Sequence, residues 1–472
     1  MNVQRSTELQ FREISRSKHN LTFLYDFNGI IFTTTMWYPT VDFFHLEEKY
    51  TKGVMQKLYA HIFLFHGLKL QSLLPETMNI GPIAPFWNHR LQELWETSTL
   101  GCLGQWRQET NNMSYRGARS MSAPQVSQIG KPVKLNNDSG RLLVGNGGGK
   151  DSLLMLRMLD ESDVKFDTFG INFHTAADPD HQFCLSENIL QNFVNKPNIN
   201  HRQYIVETFL NSPAASLHGV AGLSIPHIRD DEDTPNGHGI FGLLPVMLQY
   251  GYTDLCFGNE WSAESENLEV AGERVNHAWS KTIECEEIYE RYIRAEFILN
   301  FSVFSFLKPL SDVLIYRLFN NIAKEGDIRR AYSCNLKPPW CGECPKCAYV
   351  WLSYLAYLYP KFKKELAHIF NGINPFNHPS LVQHYRQLMG VEGIKPYECV
   401  GEIDEVKLAF ELCVINGFSG EAIDIYTSEC RLDESEFHEL IQKYSRSQIY
   451  NRLPRELENI LSCNMNKISS LI

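Results

Sequence analysis

A glycine-rich segment between two apolar runs has the composition of a phosphate-binding loop. Residues 141–152 read RLLVGNGGGKDS, and LLMLRML follows. Glycine lets the backbone approach a ligand closely and adopt positive φ, and the start of the following helix presents N–H groups and a positive dipole end to an anion. The candidate residues for phosphate binding are Gly147, Gly148, Gly149, Lys150, Asp151 and Ser152. A strand-to-helix turn without a ligand is the plainer alternative.

Four cysteines lie close together in SCNLKPPWCGECPKC, at Cys334, Cys341, Cys344 and Cys347. Four thiolates in this spacing can bind one metal ion, and a closed tetrahedral site of sulfur ligands favours structural Zn²⁺. An iron–sulfur cluster uses the same ligands, and a redox dithiol is a weaker third interpretation because no thioredoxin-like context surrounds the cysteines.

Acid–base candidates follow an apolar run that predicts a strand over residues 253–258. Glu260 and Glu264 come directly after it, where ligands bind in open α/β sheets, and residues 272–277 read GERVNH, which ends in His277. A polar loop with a helix cap is the structural alternative for both segments. Cys399, in KPYECVGE, is a candidate thiolate base, although a single cysteine is more often simply buried.

These residues need a scaffold, and the patterns around them predict one. Short apolar runs alternate with helical segments over residues 140–350, which predicts an α/β fold with a parallel sheet covered on both faces. Residues 1–139 predict an N-terminal α+β domain, with a hairpin over 21–39 and a helix over 52–68. Residues 351–472 predict a helical C-terminal region.

Composition narrows the classes of function. The chain has 472 residues and a net charge of -11, which disfavours a nucleic-acid partner because such proteins usually carry a basic surface. Neither a signal-peptide pattern at the start nor a long uncharged apolar stretch is present in the sequence, so we expect a cytoplasmic protein without a membrane partner. In that reducing compartment the 12 cysteines do not predict a disulfide framework.

The glycine-rich loop resembles the Ser-Gly-Gly-x-Asp-Ser loop of the PP-loop ATP pyrophosphatases, with Gly147 in place of the serine. A wider set of blocks resembles a narrower family, the bacterial UDP-N-acetylmuramoyl-L-alanyl-L-glutamate epimerases. These blocks are, in order, GGGKDS, GNEWSAES, GERVNHAWSK, LKPLSD, SCN, WCGECPKC and KPYECVGE, and they cover roughly residues 140–405.

This resemblance implies a doubly wound parallel sheet of the PP-loop class and a role in peptidoglycan precursor synthesis. The family converts the terminal L-glutamate of UDP-MurNAc-L-Ala-L-Glu to D-glutamate, consumes ATP with Mg²⁺, and releases AMP and pyrophosphate. In this chain the glycine-rich loop would hold ATP. The implied substrate-binding residues are Arg274, Asn276 and Lys281, and the proton would be moved by Glu260, Glu264, His277 or Cys399.

Three other functions compete with this one. The deazapurine nitrile synthases also adenylate a carboxylate and carry four cysteines, but they are shorter and lack a counterpart of the first 139 residues. The tRNA-modifying PP-loop enzymes need a basic groove, which the net charge of -11 disfavours. A non-catalytic nucleotide-binding module is the third possibility, which Gly147 leaves open and the intact Lys150, Asp151 and Ser152 oppose.

Overall fold

The computed structural model describes residues 7–125, 129–173, 179–208, 238–270, 272–334, 337 and 339–468. These residues form strands β1 Glu8–Arg16, β2 Asn20–Phe27, β3 Ile30–Trp37, β4 Thr77–Asn79, β5 Arg119–Ser120, β6 Leu142–Gly145, β7 Phe166–Phe173, β8 Asn200–Glu207, β9 Asp254–Phe257, β10 Leu268–Val270, β11 Glu273–Val275 and β12 Ser302–Ser305.

The first helices along the chain are α1 Phe43–Lys49, α2 Lys52–His66, α3 His89–Cys102, α4 Gly104–Glu109, α5 Lys150–Asp160, α6 Pro179–Asn188, α7 Leu244–Tyr250 and α8 Ile283–Glu296. They are followed by α9 Asp312–Ile322, α10 Asp327–Arg330, α11 Pro345–Tyr357, α12 Lys363–Phe370, α13 Pro379–Leu388, α14 Ile403–Ile415, α15 Glu421–Ile425, α16 Glu434–Tyr444 and α17 Arg455–Met465. Short 3₁₀ helices span Leu68–Leu73, Gly81–Phe86, His238–Leu243, Trp261–Glu264, Trp279–Lys281 and Pro375–Asn377, and a π-helical turn spans Tyr426–Cys430.

One ten-stranded sheet runs through the molecule in the order β12-β9-β6-β7-β8-β3-β2-β1-β4-β5. The five strands from β12 to β8 are parallel to one another. In chain order they are arranged 3-2-1-4-5, so the direction in which strands are added reverses between β6 and β9. The α/β class predicted from the sequence is confirmed.

Two hydrophobic cores cover the two faces of the parallel strands. Leu142 and Val144 of β6 point into one core, and Leu143 points into the other. This alternation follows from the pleat, which turns successive side chains to opposite faces. Helices α5, α9 and α11 line the first core, whereas α2, α7 and α8 line the second. Helices therefore cover both sides of the strands that carry the candidate site.

The N-terminal strands extend the same sheet. The predicted hairpin is present as β2 and β3, joined by Asn28 and Gly29 with φ of 51° and 89°, the backbone conformation that an Asn-Gly turn favours. Strand β3 then pairs antiparallel with β8, through Trp37 and Tyr204 among others. The sheet is thus continuous across residue 139, while the three-domain division at residues 1–139, 140–350 and 351–472 stays a prediction.

Residues 345–465 contribute helices α11 to α17, of which α13 and α14 pack against α11 and α17 packs against α5. Helix α11 is buried along nearly its whole length, which explains its apolar sequence YVWLSYLAY. Within the described part of the chain, no helix combines the length and the apolar character that crossing a bilayer requires.

Candidate active site at the ends of the parallel strands

The glycine-rich loop and the loop that carries Glu260 lie at the carboxyl ends of β6 and β9, where the strand order reverses. Ligands of open α/β sheets bind at this position because the loops that follow the two strands diverge there. Strand β6 leads into the glycine-rich loop and α5, and β9 leads into residues 258–282. The two loops touch, since a Cβ on Gly258 would lie 3.7 Å from the carbonyl of Asp151.

The glycine-rich loop is shaped by its own side chains and by a distant segment. Gly148 has φ of +77°, and its N–H donates to Asn146 Oδ1 at 3.1 Å. The N–H of Gly147 donates to Ser152 Oγ at 3.1 Å. Among the described residues, no side chain caps the start of α5 at Gly149, so the first N–H groups of that helix remain available to an anion.

Lys150 lies inside this loop, buried between two carboxylates. Its Nζ is 2.7 Å from both Asp151 Oδ1 and Asp312 Oδ1, and it lies 4.9 Å from the centre of the Tyr316 ring. Burial alone would lower the pKa of Lys150, but Asp151 and Asp312 hold it well above its ordinary value. The lysine is therefore a cation at neutral pH. Asp312 in turn accepts a hydrogen bond at 2.9 Å from the hydroxyl of Tyr349 on α11.

Asp151 and Glu260 are two carboxylates that influence each other across the ends of β6 and β9. Burial and the Glu260 charge raise the pKa of Asp151, while Lys150 opposes them. Burial also acts to raise the pKa of Glu260, but Lys281 and Lys150 overcome it and lower that pKa. Glu260 is only 7% exposed and is ionised at neutral pH.

Cys399 occupies the centre of a charged cluster instead of a simple apolar pocket. Its Sγ is 2.8 Å from Lys281 Nζ and 3.8 Å from His277 Nε2. Burial by itself would raise the pKa of this thiol, yet Lys281 and Lys346 hold it well below its ordinary range. A thiolate in this setting is both a base and a nucleophile. Lys281, a predicted substrate-binding residue, is thus a direct neighbour of the thiolate.

His277 is oriented by a residue from the N-terminal part of the chain. Its Nδ1 lies 2.8 Å from Gln105 Oε1 on α4, so that nitrogen carries a proton and Nε2 faces Cys399. The main-chain N–H of His277 donates to Asn267 Oδ1 at 2.9 Å. Gln105 is 5% exposed. No local pattern points to Gln105, because it is 172 residues away from His277.

Glu264 lies beside the cluster and joins two loops. Its Oε1 accepts from Lys308 Nζ at 2.7 Å and from the N–H of Ile283 at 3.0 Å. Lys308 is completely buried and also donates to the carbonyls of Glu260 and Lys281, at 3.2 and 2.7 Å. Lys308 therefore fixes the backbone on either side of the cluster.

Arg274 and Asn276 lie further out. The Arg274 side chain is 76% exposed and is 3.9 Å from Glu266. It projects from β11 on the side opposite to the buried Val275, as the strand pleat requires. The Asn276 amide donates to the Ala263 carbonyl at 2.9 Å and accepts from the Ala278 N–H at 2.7 Å. Asn276 thus braces the loop, and Arg274 is not brought to the Cys399 cluster.

Besides Gln105, three residues to which the sequence analysis assigned no role contribute to the site. Lys308 and Asp312 both fall within the LKPLSD block. This block was identified from the sequence, but no role was assigned to either residue. Lys346 stands between two of the clustered cysteines and donates to the main-chain carbonyl of Cys399 at 2.5 Å. Its position in a cysteine motif gave no indication of this contact.

The four predicted metal-ligating cysteines meet in space. The Sγ atoms of Cys334, Cys341, Cys344 and Cys347 all lie within 4.8 Å of one another, with separations of 4.0 Å for Cys334–Cys344 and 3.7 Å for Cys341–Cys347. A tetrahedron of sulfur atoms around Zn²⁺ has edges of about 3.8 Å, given a Zn–S distance of about 2.3 Å. The cluster therefore has the size and donor set of a zinc site.

Main-chain N–H groups surround these sulfur atoms. The N–H groups of Lys337, Glu343 and Cys347 lie 3.3 to 3.4 Å from the Sγ atoms of Cys334, Cys341 and Cys344, respectively. Such donors stabilise thiolates. The set of ligands can bind a metal, as the sequence predicted.

Comparison with known proteins gives two partial domain matches. The family model described as the MurL C-terminal domain matches residues 329–421, which include the cysteine cluster and Cys399. The model described as the MurL N-terminal domain matches residues 242–306, which include Glu260, His277 and Lys281. No solved structure matches the chain.

Three curated relatives each bear the name UDP-N-acetyl-alpha-D-muramoyl-L-alanyl-L-glutamate epimerase. The protein from Salinispora tropica is 29% identical over 293 residues, which is 60% of this chain and 58% of the relative. The one from Micromonospora sp. is 35% identical over 165 residues, or 34% of this chain and 36% of the relative. The one from Xanthomonas oryzae pv. oryzae is 32% identical over 174 residues, or 35% and 38%.

The matched segments thus span less than two thirds of each relative's length. All three relatives carry the same name, and the descriptions of the two domain models are consistent with that name. Together these matches show that parts of the chain are similar to MurL proteins.

Proposed function

We propose that this chain is an ATP-dependent epimerase that converts the terminal L-glutamate of UDP-MurNAc-L-Ala-L-Glu to D-glutamate in peptidoglycan precursor synthesis. The names of the three relatives support this substrate. The observation that carries the mechanism is the position of Cys399. It is paired with Lys281 and His277, and Lys281 interacts electrostatically with Asp151 of the glycine-rich loop.

An α-proton next to a carboxylate is hard to remove, because the product would concentrate negative charge on one group. Adenylation solves this problem. A carboxylate oxygen attacks the α-phosphorus of ATP, the bond to pyrophosphate breaks, and the acyl-adenylate that forms has no carboxylate charge. In this chain, the N–H groups at the start of α5 and the Lys150 ammonium would bind the pyrophosphate portion, as the resemblance to the PP-loop implies.

The carboxylates of Asp151 and Glu260 fit a divalent cation such as Mg²⁺, since each is an oxygen donor that Mg²⁺ prefers and the Glu260 charge disfavours ionisation of Asp151. Mg²⁺ bound there would offset the negative charge of the ATP phosphates. The cysteine cluster, in contrast, has ligands suited to structural Zn²⁺ and takes no part in the reaction itself.

Cys399 then moves the α-proton. Its thiolate accepts the proton, and the electron pair of the C–H bond moves toward the acyl carbonyl oxygen, where Lys281 can stabilise the charge that develops. His277 presents Nε2 to the resulting thiol and can take its proton. A proton from solvent water, delivered to the opposite face, gives the D-configuration, and a second water cleaves the acyl–phosphate bond to release AMP.

The test is to incubate the protein with ATP, Mg²⁺ and UDP-MurNAc-L-Ala-L-Glu in D₂O. We expect pyrophosphate release together with deuterium at the glutamate α-carbon and D-glutamate in the product. The Cys399→Ser variant should still release pyrophosphate but lose most of the deuterium incorporation, since a hydroxyl is a far weaker base than a thiolate. This separation of the two signals distinguishes proton transfer from adenylation.

Other outcomes support the alternatives. Pyrophosphate release only with a different carboxylate would retain adenylation and reject the epimerase, as expected for a relative of the nitrile synthases. Adenylation that depends on a tRNA would favour a tRNA-modifying enzyme. ATP that is bound and recovered unchanged would favour a nucleotide-binding module.

A further inference from the structure

The four-cysteine cluster is linked to both halves of the proposed active site through residues that neighbour its cysteines in sequence. One half is the glycine-rich loop, and the other is the segment that carries Cys399. Cys334 enters the cluster from the segment that crosses the loop, while Cys341, Cys344 and Cys347 lie before and within the first turn of α11.

On the loop side, the contact is made by Tyr332, two residues before Cys334. Its N–H donates to the carbonyl of Gly148 at 3.0 Å, and its ring fills the space that a Cβ on Gly148 would occupy. Ser333 follows, with its Oγ 3.6 Å from the position of a Cβ on Gly149. Residues 332–334 therefore form a strap that lies across the loop and ends at a metal ligand.

On the other side, the contact is made by Lys346, which stands between Cys344 and Cys347. Cys344 caps the start of α11 by accepting the N–H of Cys347 at 3.4 Å, and this fixes the backbone around Lys346. The Lys346 ammonium then donates to the carbonyl of Cys399 at 2.5 Å. Two potential metal ligands thus flank the lysine that holds the backbone of the reactive thiol.

We infer that a metal ion bound by the four cysteines positions the active site, by fixing the Tyr332 strap on the glycine-rich loop and Lys346 on the backbone of Cys399. Tyr332 and Lys346 are positioning residues, since each acts through another group. The physical reason is that Cys334 belongs to the strap while the other three ligands belong to the start of α11, so metal binding ties the two segments together. The roles given to the loop and to Cys399 rest on the proposed function.

The test uses two variants with separate readouts, and neither readout needs the epimerase substrate. Lys346→Met should move the pH profile of iodoacetamide alkylation of Cys399, followed by peptide mass spectrometry, to higher pH, because the thiolate fraction falls about tenfold per unit of pKa rise at pH values below the thiol pKa. Tyr332→Ala should instead weaken ATP binding by about tenfold or more, measured by calorimetry. Metal content should be unchanged in both variants.

Lys337→Met is the matched control. Lys337 also lies between two ligands of the cluster, but its side chain is exposed, so both readouts should stay at the wild-type level. Metal removal with a chelator should move the Cys399 alkylation profile to higher pH and weaken ATP binding together, with circular dichroism reporting whether the fold persists. If the fold is lost, the two variants decide the question.

The inference is overturned if Lys346→Met keeps the wild-type pH profile of alkylation, or if metal-depleted, folded protein keeps wild-type values of both measurements. Its failure is distinct from failure of the proposed function. A wild-type protein that binds ATP but never exchanges the glutamate α-proton would reject the epimerase while leaving the positioning effect intact. A wild-type protein that binds no ATP would reject the proposed function, and the Lys346 measurement would still test the contact with Cys399.

Discussion

Replacing Gly148 with alanine should damage the glycine-rich loop, whereas the same replacement at its neighbour Gly147 should not. Gly148 has φ of +77°, a region that costs an L-residue with a side chain about 1–2 kcal/mol. A Cβ there would lie 2.6 Å from the Tyr332 hydroxyl oxygen and closer still to its ring, compared with 3.4–4 Å for an ordinary contact.

The Tyr332 ring would have to move by about 1 Å or more, and such overpacking costs about 1–3 kcal/mol. The two terms together predict a penalty of about 2–5 kcal/mol for Gly148→Ala. If Tyr332 moves away, the loop also loses the hydrogen bond from the Tyr332 N–H to the Gly148 carbonyl. Each 1.4 kcal/mol by which the substitution destabilises the ATP-binding conformation lowers the affinity for ATP about tenfold.

Urea unfolding and ATP titration calorimetry measure the two consequences. Gly147→Ala is the control, because the nearest atom to its Cβ would be Ser152 Oγ at 3.8 Å, and we expect a change within about 0.5 kcal/mol. Equal effects of the two substitutions on stability and on ATP binding would refute the reasoning. So would a Gly148→Ala variant that matches the wild type in both.

Two further predictions concern charge. Lys281→Met should raise the pKa of the Cys399 thiol toward its ordinary range, since Lys281 is the largest influence that lowers it. The pH profile of Cys399 alkylation should therefore move to higher pH, whereas the control Lys281→Arg should largely retain the wild-type profile. An unchanged profile for Lys281→Met would contradict the pairing of Lys281 with Cys399. Burial raises the pKa of Glu207, but Lys69 and His66 overcome it and lower the pKa to about 2. The stability that ionised Glu207 contributes to the folded protein is fully present above the ordinary pKa of 4.5 and is lost as the pH falls toward 2. The difference in unfolding free energy between wild type and Glu207→Gln should therefore be large at pH 7 and shrink in acid. A gap that does not depend on pH would contradict the shift.

Local patterns were sufficient for the elements whose signals lie within a few residues. The Asn28-Gly29 turn predicted a hairpin, and the three glycines between an apolar run and a helical pattern predicted the loop between β6 and α5. The spacing of the cysteines predicted that four sulfur atoms would meet. In each case the turn, the loop or the cluster is built from neighbours in sequence, so the chemistry of those neighbours is enough.

Short strands were harder to predict from the sequence. Strand β12, Ser302–Ser305, has four residues and lies in an apolar segment without a clear alternation, so only its pairing with β9 identifies it. The orientation of the Arg274 side chain could not be predicted from the sequence either, because the register of the small β10–β11 hairpin decides which side chains face outward. The resemblance implied that Arg274 contacts the substrate, which stays a prediction, and the pleat leaves its side chain exposed.

The sequence by itself determined the strand–loop–helix unit, the four cysteines that can bind a metal and the set of acid–base candidates. Only the tertiary structure placed Lys281 and His277 beside Cys399, because they are 118 and 122 residues away in sequence. It likewise paired Lys150 with Asp312 across 162 residues and brought Gln105 from the N-terminal part to His277. A thiol becomes a base through the charges that surround it, and those charges are set by how helices and loops pack at the sheet edge, which local sequence patterns do not encode.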